Sequence, residues 1–345
     1  MDGRDLRIIE FLEKNNPSSS KEIFDGSGSE GSYATLKRRL MTLVTSNFVT
    51  STGTGKGTRY QVSEAYHLIK PIDINHYFEK EIDERSIKQD FDFDLIRKLL
   101  KQNEVFSSAE IEHLNELQRE FEIRLSQLTE NDYLREFERL AIDLSWKSSQ
   151  LEGNTYSLLE TERLLKDRMT AAGKTKEEAI MLLNHKETLD FLLQQPDYLI
   201  PMSISGIEDI HSLLVKDLSI ERNIRRRRIG ISGTNYRPLD NEFQLREALL
   251  DTCELINEKE NIFEKALLIL VLLSYIQAFS DGNKRTARVV SNAILMHYKH
   301  CPLSFRTVDS IDYKKAMLLF YEQNNISAFK KIFIEQYEFA IQTYF

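Results

Sequence analysis

Apolar residues dominate two runs of the chain, Phe263 to Tyr275 and Ala287 to Met296, each of a length that predicts a buried helix. The most continuous stretch, Ala266 to Ile276, is too short to span a bilayer. From Leu134 to the C-terminus nearly every segment repeats its apolar residues at the helical period, the exception being Arg225 to Pro238. Upstream, Ile72 to Thr129 interleaves acidic and basic residues and reads as charged and helical, with one break near Glu104 to Ser108. The first segment is punctuated more finely. Leu6, Ile8, Ile9, Phe11 and Leu12 make one amphipathic helix, ended by Asn15-Asn16-Pro17. Ser18-Ser19-Ser20 then offers caps for a short helix, Lys21 to Phe24. A Gly/Ser-rich turn, Asp25 to Gly31, leads to a third helix with Tyr33, Leu36, Leu40 and Leu43 on one face. Two β-prone runs follow, Phe48 to Thr52 and Thr58 to Val62, joined by Gly53-Thr54-Gly55-Lys56-Gly57. The pattern predicts a mainly α protein in three parts: residues 1–70, a helical connecting layer at 71–130, and a body at 131–345.

Composition places the chain among folded globular proteins, with 41% hydrophobic and 29% charged residues. Cys253 and Cys301 stand alone in apolar helical surroundings, which gives no metal-ligand spacing and no disulfide framework, so both read as core residues. The opening residues, Met1 to Arg7, lack the apolar run and cleavage site of a secretory signal, and a cytoplasmic protein with no membrane partner is expected. The net charge of −8 is unevenly spread. Residues 1–70 hold ten Lys/Arg against eight Asp/Glu, and the remainder 36 against 46, which hints at two kinds of partner.

Three helices and a hairpin with a basic, glycine-rich tip resemble the winged helix-turn-helix modules of bacterial regulators. For DNA, Lys37, Arg38 and Arg39 on the third helix would meet phosphates or base edges, with Lys56 and Arg59 touching the backbone from the wing. Such modules also dock proteins or dimerise, and five basic residues are a modest footprint for DNA. DNA binding, protein docking and self-association therefore all stay open.

The candidate chemistry lies between the two apolar runs, from Tyr275 to Arg288. A polar loop with a glycine, opening a buried helix, is an anion site, because unpaired N–H groups and the helix dipole point at the ligand. Asn283 offers an amide donor, and Arg285 and Arg288, three apart, can clamp two phosphates. Asp281 beside them suits magnesium, and Phe279 would bury and pin the loop. Taken alone, Gly282-Asn283-Lys284-Arg285 at a helix start reads equally well as an ordinary capped and solubilised helix end.

The spacing from Phe279 to Arg288, Phe-x-Asp-Gly-Asn-x-Arg-x-x-Arg, resembles the signature of the Fic family, His-x-Phe-x-Asp/Glu-Gly-Asn-Gly-Arg-x-x-Arg. Asn292 with Ile294-Leu295-Met296 resembles the helix that closes on the adenine. Asp312 to Ala316 and Phe329 to Phe333 resemble the last helices of the family. Arg225 to Pro238, with Ile229, Gly230, Ile231 and Tyr236, resembles its β-hairpin flap, which holds a target segment by strand addition. The resemblance covers roughly residues 130–340 and implies an all-helical domain that transfers AMP from ATP to a Ser, Thr or Tyr hydroxyl of a protein. It also implies that Phe279, Gly282, Asn283, Lys284, Arg285, Arg288 and Asn292 hold ATP, with Asp281 on Mg2+. Upstream, Trp146 to Asn154 resembles the inhibitory helix of the family, expected at about 143–154. By that resemblance Ser148, Glu152 and Gly153 form a brake in which Glu152 pairs with Arg288 and takes the space of the γ-phosphate.

Two residues depart from the signature. Gln277 stands where the family has its histidine, and a neutral carboxamide cannot accept a proton, a loss worth about 10²- to 10⁴-fold in rate. Lys284 stands where many members have glycine, as in the Doc branch, which transfers phosphate instead of AMP. The readings in play are thus an autoinhibited adenylyltransferase weakened at Gln277, a non-catalytic nucleotide-responsive DNA-binding regulator, and a Doc-like kinase. The run Arg225 to Arg228 is expected to alternate across the flap with both faces wet.

Overall fold

The N-terminal elements form where serine caps permit. In the computed structural model, which describes residues 3–28 and 31–345, α1 (Gly3–Lys14) buries Ile8, Ile9 and Leu12. Ser19 caps α2 (Ser20–Gly26) through a reciprocal bond with Glu22, and Ser32 caps α3 (Tyr33–Thr45). Ser29 and Glu30, inside the predicted turn, lie outside the described residues. Strands β1 (Ser18–Ser19), β2 (Val49–Thr52) and β3 (Arg59–Val62) pair antiparallel in the order β1-β3-β2, with Val49 opposite Val62 and Ser18 opposite Tyr60. The hydrophobic pattern misses β1, because two serines carry no strand signature and pair only once β3 is beside them. These elements share a small core of their own, including Ile8, Leu12, Ile23, Leu36, Leu40 and Val49.

The short helices α4 (Tyr66–Ile69) and α5 (Ile74–Glu79) come next, and then the expected helical pattern fails. Apart from a single turn at Ile82–Glu84, residues 80–92 are not helical. Phe91 and Phe93 alternate with Asp90, Asp92 and Asp94, a two-residue period, and Phe91 stacks on Tyr275 at 4.7 Å. A π-type turn at Leu95–Leu100 leads into α6 (Ser108–Ser126) and α7 (Glu130–Gln150). Then follow α8 (Leu158–Asp167), α9 (Lys176–Gln194), α10 (Ile204–Leu214), α11 (Glu242–Glu258) and α12 (Ile262–Ile276). The last three helices are α13 (Asn283–His297), α14 (Ser310–Gln323) and α15 (Ser327–Tyr344).

Helix α12 is the centre of the body. Every residue from Phe263 to Ile276 is buried, as an all-round apolar helix must be. Helix α13 packs along it, and one continuous core runs from Ala65 to Tyr344, taking in Leu95, Leu100, Leu114 and Phe121 of the connecting stretch. Leu270 is fully buried on α12, so Leu270→Ala should destabilise the fold by about 2–5 kcal/mol, read as a lower urea midpoint. Cys253 and Cys301 are free and buried in this core. Among the described residues no helix is long and apolar enough to cross a membrane.

The flap is not a hairpin. Residues 225–238 contain no strand pairing among themselves; their one bridge runs parallel to Asp90, through Arg237. The cause is Arg225, which is buried rather than wet. Its guanidinium donates to the Arg227 carbonyl at 2.7 Å and to the Leu239 carbonyl, so a buried side chain rather than a strand ladder ties the two limbs. Arg226, Arg227 and Arg228 are exposed.

Candidate active site

The loop between α12 and α13 is braced from four sides. Gln277 ends α12 in the left-handed region (φ 53°), and its side-chain amide donates to the Ser274 carbonyl at 2.7 Å. Arg225 holds the loop from outside, its Nε donating to the Gln277 carbonyl at 2.7 Å and its backbone N–H to the Ala278 carbonyl at 3.0 Å. Asn283 accepts from the Phe279 N–H and donates to the Phe279 carbonyl, both at 2.8 Å, and donates to Gln277 Oε1 at 3.2 Å. His211 on α10 stacks face to face on Phe279 at 3.7 Å, with ring nitrogens 3.0 Å from the carbonyl oxygens of Asp281 and Arg222. Gly282 closes the loop at φ 81°, where a Cβ would also press on His211 and Val215 at 3.4 Å.

This geometry leaves side chains and helix end free for an anion. Helix α13 starts without a side-chain cap, so the N–H groups of its first turn are available. Arg285 is 1% exposed, and its one polar contact is with Asp281 Oδ2 at 3.4 Å; Nε and Nη1 have no partner among the described residues. Buried unsatisfied donors each cost about 1–3 kcal/mol, which a bound anion would recover. Asp281 itself is 62% exposed and its Oδ1 accepts from the Gly282 N–H at 2.6 Å. One exposed carboxylate beside a phosphate site suits Mg2+, which keeps water and takes few protein ligands. No group of three or more metal-ligating side chains occurs among the described residues.

Arg288, fully buried, has all three guanidinium nitrogens engaged. It donates to Ser148 Oγ and the Ser148 carbonyl at 2.9 Å, to the Tyr313 hydroxyl at 3.2 Å and to Glu152 Oε1 at 2.8 Å. The other oxygen of Glu152 lies 3.2 Å from Lys284 Nζ, so one carboxylate bridges two cations of α13. Burial works against the Glu152 charge, yet Arg288 and Lys284 outweigh it and hold the carboxyl below its ordinary range. The same cations act on His185 of α9: burial first, then Arg288 and Arg285, push it down to about 3, so it is neutral near pH 7. Glu152 and Lys284 line a cavity of about 530 Å³ with Ile231, Ser232, Tyr313 and Met317. A larger groove of about 940 Å³ beside Leu134, Leu159 and Arg306 contains no residue of the loop.

Several of the expected ligands have their polar groups engaged within the protein. The carboxamide of Asn283 bonds Phe279 and Gln277 inside the loop and so shapes the site. Asn292 clamps Leu303, donating to its carbonyl at 2.9 Å and accepting from its N–H at 2.7 Å, and is fully buried away from the cavity lining. Tyr236 is buried, donates to the Tyr275 carbonyl at 3.0 Å and stacks on that ring at 4.8 Å, so it cannot face a target. Ile229 and Ile231 are half-buried, and Gly230 is exposed. Gly153 makes the turn after α7 at φ 97°. In the N-terminal module Arg39 pairs with Asp5 at 2.7 Å and Arg59 with Glu22 at 2.5 Å, which neutralises two of the five basic candidates. Lys37, Arg38 and Lys56 are exposed. The pattern gave no sign of His211, Arg225 or Tyr313. A lone histidine or tyrosine on an apolar helix face, or the first arginine of four, looks like any other until its partner is in place.

Residues 201–295 match the sequence model of the Fic/DOC family. They are a Fic/DOC family domain. The protein adenylyltransferase Fic of Nematostella vectensis is 29% identical over 175 residues, 49% of this chain and 40% of that protein. The protein adenylyltransferase fic-1 of Caenorhabditis elegans is 25% identical over 203 residues, 56% of this chain and 39% of that protein. The chain thus spans about 40% of the length of these curated relatives. Among solved structures, residues 134–508 of C. elegans Fic-1 superpose with a TM-score of 0.60 at 20% identity, covering 69% of this chain and 72% of that one. A Fic domain-containing signaling protein of Bacteroides thetaiotaomicron gives 0.57 at 19%, covering 67% and 94%. These superpositions show a shared fold. The Fic/DOC domain supplies the loop, Arg285 and Arg288, whereas Ser148, Glu152 and Tyr313 reach the site from outside residues 201–295.

Proposed function

We propose that the chain is an autoinhibited protein adenylyltransferase of the Fic type, slowed by Gln277, that takes ATP and Mg2+ and acts on a protein hydroxyl. The observation that carries this reading is the Glu152 carboxylate bridging Arg288 and Lys284 beside Arg285, a buried cation with two unpartnered nitrogens. Three cations converging at a helix start suit a polyphosphate, and an internal carboxylate occupying two of them is placed to compete with it. In this reading Arg285 and the first turn of α13 bind phosphate oxygens, and Arg288 and Lys284 take another phosphate once Glu152 leaves. Asp281 would hold Mg2+, which neutralises charge on the phosphates. No side chain here removes the hydroxyl proton, since the Gln277 carboxamide is neutral and tied to Ser274 and Asn283.

Incubation with ATP labelled at the α-phosphate tests the reading. Label should enter protein when Gln277→His and Glu152→Gly are combined. Transfer of γ-label without α-label would favour the Doc-like kinase, the alternative that Lys284 supports by standing among the anion-binding cations.

Residues 1–70 are proposed as a winged helix whose exposed Lys37, Arg38 and Lys56 contact DNA. Lys37→Ala with Arg38→Ala should then weaken duplex binding and lower the slope of log K against log salt by about 2. Absence of binding to any duplex at low salt would instead favour protein docking.

A further inference from the structure

The wall of the site cavity that carries Ile231 and Ser232 belongs to residues 225–238, which have no internal ladder to hold them. The opposite wall is α14, with Tyr313 and Met317. Both walls are gripped from behind by the chain between Tyr77 and Asp90. On the first wall, Arg85 donates to the Gly233 carbonyl at 2.9 Å, Asn235 donates to Asp83 at 3.1 Å, and the Arg237 N–H donates to the Gln89 carbonyl at 2.7 Å. Arg237 also pairs with Asp90 at 2.9 Å. On α14, Glu322 accepts from Arg85 at 3.1 and 3.2 Å and from the Tyr77 hydroxyl at 2.7 Å, and Lys88 donates to Asn324 at 2.7 Å.

We propose that Arg85 is a positioning residue that sets the mouth of the cavity, because its one guanidinium bonds the 225–238 segment and α14 together. The side chain of Arg85 is 4% exposed and that of Glu322 0%, so the ion pair is strong and geometrically fixed. A planar fork suits two partners at once; a lysine ammonium on a flexible stem can keep Glu322 and lose Gly233. Arg85 touches none of the anion-binding residues, so it acts on the target-facing rim and leaves nucleotide binding alone. This use of the rim rests on the reading of the cavity as a transfer site, but the positioning itself does not.

The test is hydrogen–deuterium exchange by mass spectrometry on the full chain, comparing Arg85→Lys with the unmodified protein. Exchange at Tyr236 and Arg237, whose N–H groups bond Thr234 Oγ1 and the Gln89 carbonyl, should rise about 10-fold or more while α13 changes less than about 2-fold, as expected for a local opening. The Kd for ATP with magnesium, by calorimetry, should stay within about 2-fold. The double variant Arg85→Met, Glu322→Gln removes the bridge without stranding a buried charge and should give the same local loosening. Unchanged exchange at Tyr236 and Arg237 in a folded variant overturns the proposal. So does exchange that rises equally at Tyr236–Arg237 and in α13, which would mean a merely structural ion pair. Failure of the Gln277→His chain to transfer nucleotide would bear on the enzymatic reading alone, since exchange needs no activity.

Discussion

A chain carrying both Gln277→His and Glu152→Gly is expected to transfer nucleotide about 10²-fold or more faster than one carrying Glu152→Gly alone. The size follows from what Gln277 lacks. A neutral imidazole accepts a proton near pH 7 and a carboxamide does not. The backbone favours the exchange: Gln277 sits at φ 53°, a region histidine tolerates better than most residues. Its carbonyl stays bonded to Arg225 whatever the side chain, so the loop keeps its anchor. The bond between Gln277 and Asn283 is lost, but Asn283 retains two bonds to Phe279. Phosphate binding should therefore change little while the chemical step accelerates. Equal single-turnover rates for the two chains would mean that residue 277 does not stand at the proton-accepting position.

The second large effect concerns Glu152→Gly by itself. Charge-assisted bonds of the kind Glu152 makes contribute about 1.5–3 kcal/mol each, so removing the competing carboxylate should tighten ATP binding by roughly 10- to 100-fold. The same change strands buried Arg288, whose remaining partners are Ser148 and Tyr313, and should destabilise the ligand-free protein by about 3–5 kcal/mol. A melting temperature that falls without ATP and recovers with it would register both effects. The pH dependence has a fixed sign. Because the folded protein holds Glu152 below the ordinary carboxylate range, the stabilisation is fully present above about pH 4.5, the unfolded value. It is lost only as pH falls through the depressed value. The brake should thus be insensitive to pH near neutrality, and calorimetric affinity for ATP that is unchanged by Glu152→Gly would sink it.

The loop was legible because its signals are local. A glycine that must adopt positive φ, a buried helix on each side, and arginines three apart are all fixed by neighbours in sequence. The flap was misread for the opposite reason. Its alternating residues look like a hairpin, but Arg225 and Tyr236 spend their polar groups on Gln277, Leu239 and Tyr275, and pull both limbs inward. The intramolecular bonds of Asn283 and Asn292 were not legible either, since an asparagine on a helix gives no sign of whether its amide meets a ligand or a backbone carbonyl.

Sequence by itself determined the mainly helical architecture, the burial of α12, the serine-capped helices of the first module and the composition of the loop between α12 and α13. These follow from the 3.6-residue period, from capping chemistry and from the conformational freedom of glycine, each acting over a few residues. Tertiary structure alone decided which polar groups are buried and against what. Arg85 meets Glu322 across 237 residues and Arg225 meets Gln277 across 52, whereas the pairing of Glu152 with Arg288 across 136 was expected only through the family resemblance. A charge leaves water only where a distant partner compensates its desolvation, and no local pattern records where that partner will be.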